Sequence, residues 1–136
     1  MIVRGILAVL GAVIANVLIV SLCEMGLGQA FPPPPGVNLQ DPAALKAFAE
    51  AMPTAALALL AAGWAAGAFG ASATGFLIAR KTWAAWVGPA FNLLGVAMSL
   101  SMIPHPPWVA IIGLAMPFLA GWSVPRLLRT RTSAAT

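Results

Sequence analysis

Glu24, Gln29, His105 and Trp108 are the residues whose types could do chemistry together at one membrane surface. Glu24 is the one acid that adjoins a long apolar stretch, and His105 is the one histidine. A carboxylate and an imidazole held in contact could hand a proton between them. A carboxylate near lipid is also costly unless it is paired or protonated. A Glu24–His105 contact, joined by Gln29 and Trp108, would answer both points. The structural alternative is that Glu24 pins the adjoining loop by accepting from its backbone N–H groups. A second polar set, Asn16, Asn92 and Ser99, lies inside apolar stretches. Asn92 is placed to bond Asn16 or a backbone carbonyl of a neighbour, a contact worth about 0.6 kcal/mol in lipid.

The rest of the chain excludes most other chemistry. One histidine and one nearby acid are too few to hold a metal. A histidine between prolines in a surface turn is a poor axial ligand for haem. There is no Ser/His/Asp set and no glycine loop of the kind that cradles phosphate. No catalytic, cofactor-binding or metal residue is therefore assigned, no cofactor is expected, and the chain reads as a protein that is not an enzyme. Cys23 is the only cysteine, so no disulfide can close within the chain. It reads as a small apolar residue.

A chain of 136 residues makes one domain the expectation, and 61% of its residues are hydrophobic and 7% charged. A soluble domain carries about 25% charged residues, so the solvent for this chain is lipid. The fold class expected is all-α: an integral membrane bundle of four transmembrane helices, with one short amphipathic surface helix in the first outer loop. The spans are placed at about residues 3–27, 54–79, 82–103 and 107–125. The surface helix is placed at about 42–52 and a basic tail at 126–136.

The first apolar run, Ile6 to Cys23, is about long enough to span. It is longer than the core of an export signal, so it reads as a helix and not as a cleaved leader. Gly11 and Ala15 form a small pair four residues apart. Pro32 to Pro35 predict an extended polyproline segment. Asp41-Pro42 predicts a helix start, with Asp as cap and Pro at the first position. Leu45, Phe48, Ala49 and Met52 then make one apolar face, with Lys46 and Glu50 paired away from it. In the second span Gly63, Gly67, Ala71 and Gly75 recur every four residues, which predicts a helix-packing seam. Trp83 and Trp86 anchor the start of the third span, where Gly88, Asn92, Gly95 and Ser99 form a small and polar stripe. Pro117 predicts a kink in the fourth.

Charge sets the orientation. Arg4, Arg80, Lys81, Arg126, Arg129 and Arg131 fall on one side, six of the seven basic residues. Lys46 and all three acids fall on the other. Both termini are therefore expected in the cytoplasm, with the proline loop and the Pro-His-Pro turn outside. The net charge of +4 follows from topology, so nucleic acid is not an expected partner.

Several of these segments recur together in a known group. They are Glu24, Phe31-Pro32-Pro33-Pro34-Pro35-Gly36, Asp41-Pro42-Ala43-Ala44-Leu45-Lys46-Ala47, Pro53, the glycine-rich second span ending at Arg80, and Met102-Ile103-Pro104-His105-Pro106-Pro107-Trp108. The pattern resembles an uncharacterised family of small four-span bacterial membrane proteins with a proline-rich first outer loop and an Ile-Pro-His-Pro turn. That resemblance implies the bacterial inner membrane and carries over no functional residues. The acid at the end of the first span departs from small multidrug exporters, which need it mid-span.

Three functions are weighed from the sequence. The leading one is a structural or accessory subunit, with the lipid bilayer and a larger membrane complex or a second copy of itself as partners. The alternative is a small oligomeric transporter or channel lined by Asn16, Asn92, Ser99 and Glu24. A further alternative is binding of a lipid, quinone or pigment beside Trp64 and the glycine-rich face.

Overall fold

The computed structural model describes residues 1–133, with side chains as far as Thr130. The elements are all helical: α1 (Ile2–Ala30), α2 (Pro42–Glu50), α3 (Thr54–Ala79), α4 (Ala84–Met102) and α5 (Pro107–Ser133). Of these, α1, α3, α4 and α5 are long and apolar enough to cross a membrane. The chain is a multi-pass membrane protein built as a four-helix bundle, with α2 as a short extra helix. One end of the bundle carries the 31–41 loop, α2 and the 103–106 turn. The other carries Arg4, Arg80 and Lys81. We call these the proline end and the basic end.

The centre of the bundle is α3. It packs against α1, α4 and α5, and α4 packs in turn against α1 and α5. Lipid offers no hydrophobic drive for helices to associate, so backbones must approach closely to gain contact. Small residues permit that here. A Cβ at Gly67 would lie 2.5 Å from Val20 Cγ2 of α1, and one at Gly88 would lie 2.2 Å from Ala71 Cβ. A Cβ at Gly75 would meet the Ala84 carbonyl oxygen at 2.2 Å, and one at Gly63 would meet Cys23 Cβ at 2.8 Å. The Gly63, Gly67, Ala71 and Gly75 positions thus lie in the crevice where α1 and α4 meet α3.

The α5 face uses a second four-residue step, Gly113, Pro117, Gly121 and Pro125, all buried. The Trp64 ring of α3 sits on Gly113, and the Trp86 ring of α4 sits on Gly121. Each interior proline removes one helical hydrogen bond, yet α5 continues through Pro125 into the basic residues. Those residues find partners: the Arg126 guanidinium lies 4.3 Å over the Trp122 ring, and Arg129 donates to the Thr82 hydroxyl.

Local chemistry explains the element ends. Asp41 caps α2 by accepting from the Ala43 amide at 3.3 Å, with Pro42 next in line. Lys46 and Glu50 pair at 3.9 Å on its exposed side. Arg80 closes α3 in the left-handed conformation, φ 56°, with its N–H on the Phe76 carbonyl. Arg4 donates to the Ile78 carbonyl, one of the acceptors that a helix end leaves without a partner.

Candidate functional site

Polar side chains converge in a cleft between α1 and α4 at the proline end. Its walls carry Asn16 and Glu24 of α1 and Asn92 and Ser99 of α4, and its floor is Trp64 of α3. The cavity is about 130 Å³. Asn16 and Glu24 are two helical turns apart, which places them about 12 Å from each other along the axis. Asn92 and Ser99 are spaced almost the same way. The cleft therefore has a deep amide level, Asn16 with Asn92, and a shallow level, Glu24 with Ser99.

The two asparagines are each only 4% exposed. Asn92 donates from Nδ2 to the Trp64 carbonyl at 3.2 Å. Its Oδ1 accepts nothing, and Asn16 Nδ2 donates to nothing. Buried polar atoms normally find a partner, and leaving one unbonded costs about 1–3 kcal/mol. Both residues stand short of a partner beside the cavity. They fall together because Gly67 leaves room: a Cβ there would lie 3.1 Å from Asn16 Nδ2 and 3.2 Å from Asn92 Nδ2.

A second cavity, about 170 Å³, adjoins the first beneath α2. Leu45, Phe48 and Ala49 of α2, with Met52 just beyond its end, form its roof, and Ile103, Pro104 and His105 one side. Glu24 and Ser99 line both cavities. They stand at the junction.

No protein-family model, no curated protein and no solved structure matches the chain. The site must be read from its own geometry.

The structure brings Glu24 and His105 to one cavity but joins them by no hydrogen bond or ion pair among the described residues. His105 turns instead to its own turn and to α3. Its Nδ1 lies 2.7 Å from the Ile103 carbonyl, which can only accept, so Nδ1 carries the proton. Its ring meets Trp64 at 5.7 Å between centroids. Trp108 packs on the cluster of Leu57, Trp64, Val96 and Val109 and lines neither cavity. Gln29 is exposed and lines neither. Glu24 accepts no bond from the loop, so the loop-pinning alternative has no contact to support it.

Trp64 is the residue whose place at this site the sequence reading understated. It is the floor of the cleft, the acceptor for Asn92 and the ring partner of His105. The signal was its position one residue after Gly63, as the one tryptophan in a helix rich in alanine and glycine. A larger recess of about 420 Å³ opens at the basic end beside Met1, Arg4, Lys81 and Trp83. It is a surface dip with no buried polar atom short of a partner.

Proposed function

We propose that this protein is a ligand-binding component of the bacterial cytoplasmic membrane, and that the α1–α4 cleft is its binding site. The observation that carries the reading is the pair of buried, incompletely bonded amides, Asn16 and Asn92, at the bottom of a cavity with an unpaired carboxylate at its mouth. Intramembrane polar groups are expensive, and a site for a ligand is their usual justification.

Both termini lie in the cytoplasm in this reading, and the proline end faces outward. The support is the excess of Lys and Arg at the basic end and the acids at the other. The family resemblance supports a bacterial host. The cleft then opens from the outer side. Below the asparagines, Gly75 against Ala84 and Gly88 against Ala71 leave no room to continue. A closed bottom favours binding over conduction. The accessory-subunit reading drew on the glycine seam of α3, and α1 and α4 of the same chain occupy that seam.

Native mass spectrometry of the protein released gently from its own membrane tests this. The wild type is expected to carry a bound non-protein mass that Ser99→Phe, which plugs the cleft, loses. Equal adducts on both forms, or a stoichiometric protein partner with no small adduct, would overturn it in favour of the accessory role.

A further inference from the structure

We infer that the ligand of this cleft is an organic ammonium carried on an apolar body. The inference rests on the binding reading above and adds the ligand's charge and shape.

The charge follows from what surrounds Glu24. It has no hydrogen-bond or ion-pair partner among the described residues. Lys46 is engaged with Glu50 at 3.9 Å. The other basic residues belong to the opposite end, about 30 Å away if Arg4 is taken as the mark, twenty helical residues from Glu24. Glu24 stands exposed at the mouth of the cleft with no cation of its own, where a cation from outside can reach it. His105 shares the cavity beneath α2 with it, and its Nδ1 is held by the Ile103 carbonyl.

The kind of cation follows from the rest of the lining. Among the described residues no three His, Cys, Asp or Glu side chains gather to hold a metal ion. A compact divalent ion would lack ligands. An ammonium needs only the carboxylate and a hydroxyl acceptor, and Glu24 with Ser99 supplies them at the mouth. Below that level the walls are the Trp64 ring, Val20 and Val96, which fit an alkyl or aryl body. The incompletely bonded amides of Asn16 and Asn92 lie deepest and take any polar group at the far end. Gly95 has nothing within 4 Å of where a Cβ would be, so α4 leaves a lateral opening toward lipid. An amphiphile can enter there from the outer leaflet.

Two sources present this chemistry: the amino headgroup of a membrane lipid and a free lipophilic amine. Purified protein in nanodiscs of phosphatidylglycerol, which carries no ammonium, is titrated with octylammonium, octanol and octanoate, and its thermal unfolding is followed. Octylammonium is expected to raise the unfolding temperature saturably, and the other two are not. Glu24→Gln should keep the ligand-free unfolding temperature and bind octylammonium about tenfold more weakly, as the loss of the charge that faces the ammonium at the exposed mouth brings. In nanodiscs containing phosphatidylethanolamine, a blunted response together with lipid retained by wild type and lost by Glu24→Gln identifies the headgroup as occupant. An unchanged response there identifies the free amine. If octanol stabilises as well as octylammonium and Asn16→Leu abolishes both effects, the cleft binds but the ammonium inference falls. If octylammonium acts equally on Glu24→Gln, the inference falls. If no compound shifts the wild type and Ser99→Phe changes nothing, the binding reading falls with it.

Discussion

Asn16 and Asn92 each bury a carboxamide that the bundle does not fully bond. A group kept for stability would be expected to make its bonds, whereas a group kept for a ligand need not. Asn16→Leu, nearly equal in volume, is therefore expected to change the unfolding free energy by less than about 1 kcal/mol, because it deletes a donor with no acceptor. Unfolding in mixed micelles measures this. A loss above about 2 kcal/mol would make Asn16 a structural residue. Polar positions inside apolar runs were legible in the sequence because so few residues there are polar. Their partners were not. Asn92 bonds the Trp64 carbonyl, and the His105 ring meets Trp64 at a tilt rather than meeting Glu24. Those pairings depend on how α4 and the 103–106 turn sit against α3, which no single element's periodicity contains.

Among the elements, contact is set by where small residues fall. A Cβ at Gly88 would press on Ala71 at 2.2 Å, and on Ala71 backbone atoms at 3.0 and 3.1 Å. Backbone cannot swing aside as a side chain can. Gly88→Ala should cost about 1–3 kcal/mol by overpacking. Gly95→Ala, seven residues on and facing open space, should cost nothing and gain slightly from helix propensity. Equal effects of the two would mean that α3 and α4 do not pack as described. The helices themselves were readable from long apolar runs, and α2 from its Asp41-Pro42 start and the spacing of Leu45, Phe48, Ala49 and Met52. The fourth apolar stretch taken to end at Pro125 is part of a longer helix, α5, that runs to Ser133. Proline there loses one hydrogen bond, while Val124 and Pro125 stay buried and Arg126 and Arg129 find partners on Trp122 and Thr82. The Gly113, Pro117, Gly121 and Pro125 step was also open to reading. Prolines draw attention as breaks, which hid their role as flat packing positions beside two glycines.

At the scale of the whole molecule, the bundle is closed by alanine and glycine in its middle and opened by larger groups toward the proline end. The roof of that end is α2, and Glu24 joins the cavity beneath it to the cleft that descends to the amides. A site closed on one side and open on the other must face one compartment only. With Cys23 replaced by alanine, Ser99→Cys reports on that directly. A membrane-impermeant maleimide added to intact spheroplasts should label Ser99→Cys and should leave Ser72→Cys, fully buried and bonded to the Ala120 carbonyl in the parent, unmodified. Labelling of Ser99→Cys from the outer face is the predicted result. No labelling, or labelling only from the cytoplasmic face in inverted vesicles, would contradict an outward-opening cleft.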